Sequence, residues 1–473
     1  MPQINKQKNR TLLPLLTSAV RRTLGLVAVA GAEAMDFSRK IITRRAHLGG
    51  GGMAYMGWLL AIVLLLGSVT LNCGTAFARH AAATGEEEEE APSRHGAKLV
   101  VPTVPLDQIK VLGNRPAPFA LDAHAAVLIS ARSGEMLYAY NEHERMQPAS
   151  LAKMMTFYIT LQGLRDQRLT LDTQVPISEA AWRLSLNDSV SRMFLQVGQK
   201  VDLKDLLYGL MVSSGNDAAV ALAEYQAGSG DAFAIEMNDT AQKLGLSETH
   251  FTNPDGLPTD DEYTTAWDMA KLGRALITNF PEALQYTSAK SFTFDKIEQR
   301  NFNTLLFYDS RVDGIKTGHV QEAGYHLVAS ARTDDLQLVS AVMGTPSMEK
   351  RRVETDKLLD WAFRTFTTVS PDWHNAAPSE IRVYKGDITE VPIAPVGGTP
   401  YFTVGQGQEN KVALTASLDQ KPLIAPIKKG TKVGELAVTI GGQPMSTVAL
   451  VTQMDVNRGG YIRQAIDAIR LRL

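Results

Sequence analysis

The sequence predicts an α/β (α+β) fold in which an antiparallel sheet is flanked by helices and followed by a small all-β domain. Strand-like stretches occur at both ends of a long region with helical patterning. After about residue 366 the chain changes to short Val, Ile and Thr runs that are interrupted by Gly and Pro. With 473 residues, of which 44% are hydrophobic and 21% charged, the chain can form two or three globular domains.

Residues 1–78 form a predicted signal or targeting segment. The run "MAYMGWLLAIVLLLGSVTLNCGTAFA", residues 53–78, is apolar and uncharged, follows four basic residues and ends in Ala-Phe-Ala. This pattern is typical of a secretory signal that is cleaved after Ala78. The run is long enough that a retained membrane anchor is the alternative. Both possibilities predict that the rest of the chain is exported.

Charge and cysteine content exclude several classes of function. The targeting segment has nine Lys and Arg residues against two acidic residues, and the whole chain has a net charge of −2. The remainder therefore has a net charge of about −9 and offers no basic surface for nucleic acid. Cys73 is the only cysteine and lies inside the targeting segment, which excludes cysteine catalysis in the mature chain. No metal or cofactor is required by any motif.

Residues 79–118 are small, polar and charged, and they include five consecutive glutamates, so we expect a disordered acidic linker. Residues 119–370 form the predicted main domain. "AAVLISARSGEMLYAYN" and "YHLVASARTDDLQLVSAVMG" each predict two strands around a turn. Helices are predicted in "LKDLLYGLM", "DAAVALAEYQ", "TAWDMAKLGRALITN" and "EKRRVETDKLLDWAFRTF". The two strand pairs can therefore join in one antiparallel sheet.

A β-rich domain is predicted for residues 378–458, and an amphipathic helix for residues 459–473. Apolar residues of this helix repeat at helical spacing opposite three arginines: Ile462, Ala465, Ile466, Ile469 and Leu473 against Arg463, Arg470 and Arg472. The apolar stripe is too short to span a bilayer but long enough to lie in its interface, which predicts contact with a membrane surface. Docking of the helix on its own β domain is the alternative.

"PASLAKMMTFYIT", residues 148–160, places a hydroxyl and an amine three residues apart at the start of an apolar helix. Because residues i and i+3 are neighbours on a helix surface, Ser150 and Lys153 can touch. Burial lowers the pKa of a lysine. A neutral lysine would supply the base that a serine nucleophile requires. A helix-capping serine beside a surface lysine is the alternative interpretation.

Two further triplets follow in the chain. Ser214-Gly215-Asn216 stands at the start of a predicted helix, where a simple helix cap is the alternative. Lys316-Thr317-Gly318 lies in the strand-like stretch "IKTGHV". Ser-x-x-Lys, a Ser-x-Asn triplet and Lys-Thr-Gly are the three motifs of penicillin-binding proteins and class A β-lactamases.

The chain resembles the low-molecular-mass penicillin-binding proteins, specifically the serine D-alanyl-D-alanine carboxypeptidases. The resemblance extends from about residue 119 to the C-terminus and includes "SGND", "FTNPDGL" and "VDGIKTGH". It implies a β-lactamase/transpeptidase-like catalytic domain and a location in the periplasm or on the outer face of the cytoplasmic membrane. It also implies peptidoglycan stem peptides as substrates and β-lactam antibiotics as covalent inhibitors.

The resemblance and the chemistry together predict four catalytic residues. Ser150 attacks the carbonyl between two terminal D-alanines and forms an acyl-enzyme, while Lys153 takes the hydroxyl proton. Lys316 lowers the proton affinity of Lys153, because like charges disfavour each other. Ser214 passes a proton toward the leaving amine.

Substrate binding is predicted at the remaining motif positions. The Asn216 amide holds the substrate backbone with one donor and one acceptor. If "IKTGHV" is an edge strand, the substrate can pair with its backbone, including Gly318, as an added strand, which also aims Thr317 at the terminal carboxylate. His319 lies next to it and either contacts the carboxylate or is a plain strand residue. By resemblance, the main-chain N–H groups of Ser150 and His319 form the oxyanion hole.

One departure from the family pattern concerns the carboxylate contact. Some members place an arginine directly before Asn-x-Leu-Leu, whereas Phe302 precedes Asn303 here. Arg300 is nearby but out of register, so the sequence does not identify an arginine for the contact with the substrate carboxylate.

Three other functions share parts of the pattern. A class A β-lactamase needs a deacylating glutamate that is followed three residues later by Leu-Asn, and the corresponding stretch has Glu248 and Asn253 at the wrong spacing. An endopeptidase that cuts cross-links shares all three motifs. A non-catalytic wall-binding protein would have lost one of Ser150, Lys153 and Lys316, and all three are present.

Overall fold

The structure is a computed structural model that describes residues 101–472. The predicted signal segment and residues 79–100 of the predicted linker lie outside the described residues. The helices of the described part are α1 Lys153–Arg165, α2 Glu179–Ser185, α3 Leu203–Met211, α4 Asn216–Ala227, α5 Gly230–Lys243, α6 Ala266–Asn279, α7 Leu284–Thr287, α8 Met348–Thr365 and α9 Tyr461–Arg470.

The strands fall into two groups on either side of α8. The first group is β1 Lys110–Val111, β2 Ala125–Ser130, β3 Met136–Tyr140, β4 Gln174–Pro176, β5 Lys200–Asp202, β6 Ser291–Phe294, β7 Ile297–Arg300, β8 Val312–Val320, β9 Gly324–Arg332 and β10 Gln337–Thr345. The second group is β11 Phe366–Val369, β12 Glu380–Tyr384, β13 Glu390–Pro395, β14 Phe402–Gly405, β15 Val412–Leu418, β16 Leu423–Ile424, β17 Lys432–Ile440 and β18 Gln443–Thr452.

The main sheet joins strands from both ends of the first domain, as predicted. Its order is β1-β3-β2-β10-β9-β8, and each neighbouring pair is antiparallel. Strand β8, which contains the Lys-Thr-Gly triplet, is therefore an edge strand of this sheet. The fold class predicted from the sequence is confirmed.

Both faces of the main sheet are buried. Val127 and Ile129 of β2 pack toward the helical middle of the chain, whereas Ala126 and Leu128 pack toward α8. This alternation follows from the two-residue period of a strand. Helix α1 lies in the helical middle and is buried on almost all sides, as expected for a helix whose apolar residues do not form a single stripe.

Several helices begin at a polar residue that caps the first turn. Ser178, Ser229, Thr265 and Ser347 each accept a hydrogen bond from the main-chain N–H three residues later. Such caps satisfy one of the donors that every helix start leaves unpaired. They fix where α2, α5, α6 and α8 begin.

Ordered structure begins before the predicted linker boundary at residue 118. Strand β1 pairs with β3, and Val104, Ile109, Val111 and Ala117 are buried in the same core as α8. The expectation of disorder up to residue 118 is therefore wrong for this part. The apolar side chains that are spaced through this polar segment pack against the hydrophobic core between the main sheet and α8. Composition alone does not reveal such packing.

The second domain is all-β, as predicted. Strands β11 and β14 form a small antiparallel pair, and the other six strands form a sheet in the order β15-β17-β18-β13-β12-β16. Helix α9 follows this sheet. Its Asp467 side chain is buried and accepts a hydrogen bond from the Lys385 N–H at 2.7 Å. Between residues 101 and 472, no helix combines the length and apolar character needed to cross a bilayer.

Candidate active site

Ser150 and Lys153 lie at the entrance of α1. The α-helix begins at Lys153 rather than near Ser150, and a 3-10 turn, Ala149–Ala152, precedes it. Because i and i+3 also align in a 3-10 turn, the predicted contact is present: Lys153 Nζ donates a hydrogen bond to Ser150 Oγ at 2.9 Å. Ala149 has φ +50°, a rare conformation for a residue other than glycine, and it turns the chain sharply before the serine.

The Lys153 amine is enclosed by the protein. Its side chain has no exposed surface, and Nζ also donates to the main-chain oxygen of Asp255 at 2.6 Å. Burial lowers the pKa of Lys153 to about 8, against the opposing influence of Asp255, Asp217 and Glu262. About a tenth of the amine is therefore neutral at about pH 7 and about half at about pH 8, far more than for an ordinary lysine. A neutral amine beside a hydroxyl can remove its proton.

Ser214 and Lys316 form a second hydroxyl and amine pair. Lys316 Nζ donates to Ser214 Oγ and to the Thr317 main-chain oxygen, both at 3.0 Å. Both side chains are buried, and Ser214 has φ +56°. The contact joins the loop before α4 to the edge strand β8, so the second and third motifs meet directly.

Asn216 starts α4 with its amide in a buried position. Its main-chain N–H donates to the Ser191 oxygen at 2.9 Å, which fixes the helix start, but its side-chain Oδ1 has no hydrogen-bond partner among the described residues. An unpaired buried acceptor is costly unless a ligand satisfies it. The amide is thus available to a bound peptide N–H.

Strand β8 passes close to the turn that holds Ser150. A Cβ added to Gly318 would lie 3.0 Å from the Pro148 oxygen, so a larger residue here would force the strand and the turn slightly apart. Thr317 is 5% exposed, and the His319 ring stacks on Tyr325 with 3.9 Å between the ring centroids. All three motifs therefore surround one edge of the main sheet.

Comparisons with known proteins agree with this geometry. A family model described as D-alanyl-D-alanine carboxypeptidase matches residues 113–347, and a model of the penicillin-binding protein 5 C-terminal domain matches residues 366–458. The chain is 39% identical over 357 residues to the carboxypeptidase DacC of Escherichia coli, which covers 75% of this chain and 89% of the relative. The chain belongs to the D-alanyl-D-alanine carboxypeptidase family. The family and enzyme class predicted from the sequence are confirmed.

Solved structures of family members have the same fold. Penicillin-binding protein 5 from Haemophilus influenzae is 39% identical, with a TM-score of 0.65, and the match covers 72% of this chain and 99% of that one. The carboxypeptidase DacD from Francisella tularensis is 33% identical, with a TM-score of 0.58, and covers 74% of this chain and 97% of its own. Both domains of the carboxypeptidase family are therefore represented in this chain.

The structure shows which arginines lie near Phe302, the residue that stands where some family members have an arginine. Arg300 is exposed, and its guanidinium lies 4.9 Å from the ring centroid of Phe307. Arg351, from α8, is buried, and its Nη2 donates to the Phe302 main-chain oxygen at 3.3 Å. Sequence reasoning did not identify Arg351, because it lies about fifty positions away in the chain and is part of no motif.

Two buried carboxyl groups that influence the pKa of Lys153 were also not predicted. Asp255 and Glu262 are 4% and 3% exposed. Burial raises the pKa of Asp255, and it raises the pKa of Glu262 to about 8. Asp255 lies in "FTNPDGL", which supported the resemblance, but nothing in the sequence distinguished Glu262 from its exposed neighbour Asp261.

The raised pKa of Glu262 predicts a pH dependence of stability. The ordinary glutamate pKa is 4.5 and the folded value is about 8, so the folded state binds a proton more tightly than the unfolded state between these values. The free energy of unfolding should therefore fall as pH rises from about 4.5 to about 8, by at most about 1.4 kcal/mol per pH unit from this group.

Glu262→Gln should remove this decline, because the amide stays neutral at every pH. Urea unfolding at several pH values, followed by circular dichroism, measures the slope. Asp261→Asn is the matched control, since Asp261 is exposed. Equal slopes in the Glu262→Gln variant and the unmodified chain would contradict the assignment.

Proposed function

We propose that this chain is a serine D,D-carboxypeptidase that removes the terminal D-alanine from peptidoglycan stem pentapeptides. The observation that supports it most directly is the 2.9 Å hydrogen bond between Lys153 Nζ, a buried amine of lowered pKa, and Ser150 Oγ. This pair supplies a nucleophile with its base in place. Membership of the carboxypeptidase family supports the substrate class.

Acylation would proceed through Ser150. Lys153 takes the hydroxyl proton while Oγ bonds to the carbonyl carbon, and the peptide bond to the last D-alanine breaks. Ser214, in contact with Lys316, relays a proton to the departing amine and is reprotonated by the Lys153 ammonium, which returns Lys153 to its neutral form for the attack of water. Water then hydrolyses the ester. A β-lactam antibiotic acylates Ser150 through the same attack on its ring carbonyl.

The edge strand β8 would hold the substrate in an extended conformation. An added strand pairs with the free main-chain groups of an edge, so the peptide lies alongside Thr317, Gly318 and His319. Asn216 Oδ1, which has no hydrogen-bond partner among the described residues, would accept a hydrogen bond from the backbone of the same substrate. By family resemblance, the N–H groups of Ser150 and His319 stabilise the oxyanion.

We further propose that the mature chain is exported and contacts the outer face of the cytoplasmic membrane through α9. Tyr461, Ile462, Ile466 and Ile469 are 92%, 79%, 46% and 63% exposed. The helix rests on the β domain through the polar Asp467, so its apolar side points outward. An exposed apolar stripe flanked by arginines is the pattern of an interfacial helix.

Ser150→Ala should abolish covalent labelling by penicillin and release of D-alanine from a pentapeptide, because the nucleophilic oxygen is lost while the turn is kept. Intact mass after penicillin treatment and product analysis measure both. Ser189→Ala, at an exposed serine, is the control and should label fully. Full labelling of the Ser150→Ala chain would place the nucleophile elsewhere.

We also propose that Lys316, on the strand that would hold the substrate, pairs with the terminal carboxylate of the peptide. Lys316→Ala should then reduce kcat/KM for a substrate with a free terminal carboxylate by roughly 10- to 100-fold more than for its carboxyl-amidated analogue, the value of one charge-assisted hydrogen bond. Steady-state kinetics on the two peptides measure the difference. Lys296→Ala, at an exposed lysine, should affect neither. Equal losses on both peptides would show that Lys316 acts on the proton-transfer groups instead of the carboxylate.

Ile462→Ser with Ile469→Ser should weaken binding of the chain from residue 79 to anionic vesicles, because it removes apolar surface and leaves the Asp467 contact intact. Vesicle sedimentation at low and high salt measures binding, and thermal unfolding reports stability. Deletion of residues 461–473 gives the level of vesicle binding that remains without the helix. Unchanged vesicle binding with a lowered Tm after the deletion would assign α9 a structural role alone.

A further inference from the structure

His326 lies on β9, beside the strand that would hold the substrate, and the proposed mechanism gives it no role. Its side chain has no exposed surface. It pairs across the ladder with Gly318 of β8, whose missing Cβ would point at the Pro148 oxygen. Because paired residues of an antiparallel ladder face the same side of the sheet, the His326 ring points toward the turn that precedes Ser150.

The imidazole joins two main-chain groups from different parts of the fold. The Gly344 N–H of β10 donates a hydrogen bond to Nδ1 at 2.9 Å, and Nε2 lies 3.2 Å from the Gln147 main-chain oxygen. A main-chain N–H can only donate, so Nδ1 is the unprotonated nitrogen. Nε2 therefore carries the ring proton and donates a hydrogen bond to Gln147, three residues before Ser150.

A bulge in β10 makes the bond to Nδ1 possible. Two residues of β10 face the single His326, because the register between β9 and β10 shifts between Val342 and Thr345. Gly344, in this bulge, has φ +71°, which glycine adopts without strain. An added Cβ there would lie 2.5 Å from His124 Cβ. The ring is thus held from the sheet at one nitrogen while the other reaches the turn.

The surroundings keep this imidazole neutral. Burial lowers the pKa of His326 to about 3, against the opposing effect of the Gln147 oxygen. A proton on Nδ1 would also meet the Gly344 N–H, so that two donors would face each other. The link between sheet and turn therefore keeps one hydrogen-bonding form throughout the neutral pH range.

The turn that His326 contacts needs support from its surroundings. Met146 exchanges two main-chain hydrogen bonds with Thr264, both at 2.8 Å. Gln147 follows, and His326 supplies a donor for its oxygen. Ala149 then has φ +50°, a conformation that persists only where the surrounding structure holds it. The hydrogen bond from His326 is thus one of the contacts that fix the position of the serine.

We propose that His326 is a positioning residue that sets the separation between Ser150 and strand β8. The inference rests on the proposed function, in which the substrate lies along β8 while Ser150 attacks it. By family resemblance, the two oxyanion donors also come from both sides of this gap, the N–H groups of Ser150 and His319. Loss of the bond to Gln147 lets the turn relax away from the strand, and a small displacement of a nucleophile slows its reaction strongly.

Two substitutions separate the two hydrogen bonds of the ring. His326→Gln places an amide N–H near the position of Nε2 and keeps the donor to Gln147. His326→Asn places an amide oxygen near the position of Nδ1, so it keeps the acceptor for Gly344 but is too short to reach Gln147. The pair therefore tests the contact with the turn apart from the contact within the sheet.

The test is stopped-flow acylation by penicillin in the chain from residue 79, which separates the rate constant of the covalent step from the dissociation constant of the noncovalent complex. The covalent step should stay within about threefold of wild type in His326→Gln and fall by roughly 10- to 100-fold in His326→Asn. The dissociation constant of the noncovalent complex should change by less than about threefold in both variants.

Thr355→Val is the control for a loss of stability alone, because it removes a buried hydroxyl that bonds within α8. It should lower Tm and leave the covalent step unchanged, with every rate measured well below the Tm of its variant. An unchanged covalent step in His326→Asn, or equal losses in His326→Asn and His326→Gln, overturns the inference. Failure of the proposed function appears differently, as a wild-type chain that penicillin does not acylate at Ser150.

A second measurement needs no substitution. Nitrogen-15 NMR of the histidine-labelled chain should show an imidazole that stays in the neutral Nε2–H form down to about pH 4, whereas an ordinary histidine is protonated there. Absence of any such imidazole overturns the inference, including the case in which neither His326 variant folds.

Discussion

Lys153 is a completely buried lysine at the first position of a helix that is itself enclosed by the protein, and the rest of the active site depends on this placement. An ammonium in such surroundings has lost most of its hydration, so the neutral amine becomes accessible near neutral pH. The cost is limited because Nζ still has two acceptors, Ser150 Oγ and the Asp255 oxygen. Ser150, the proposed nucleophile, supplies one of these acceptors, so the contact that limits the cost of burying the amine also places the amine on the serine hydroxyl.

The edge strand β8 brings the other groups to that pair. Lys316 on β8 reaches Ser214 at the entrance of α4, while Gly318, two residues later, allows the strand to pack against the turn before Ser150. Positive φ angles at Ala149 and Ser214 show that both serines lie at sharp turns in the backbone. Such conformations persist only when the surrounding packing holds them, and here the sheet and the helical layer supply that packing.

The sequence identified the elements whose signals are local. The strand pairs around β2 and β9, the helices α3, α4, α6 and α8 and the all-β second domain follow from periodicity and turn residues. The three motifs also identified Ser150, Lys153, Ser214 and Lys316, because each motif is complete within three or four consecutive positions. The boundary near residue 118 was wrong, because the burial of residues such as Val104 and Ile109 depends on a sheet face formed by distant strands.

The sequence by itself determined the fold class, the motif residues and the chemistry that these residue types allow, because composition, periodicity and short spacings are properties of neighbouring positions in the chain. Only the tertiary structure decided that Arg351 contacts the Phe302 main chain and that Glu262, unlike the adjacent Asp261, is buried. Burial and through-space charge depend on which distant segments pack together. The protonation state of Lys153 is therefore a property of the folded chain, since the same lysine in an exposed helix would stay charged.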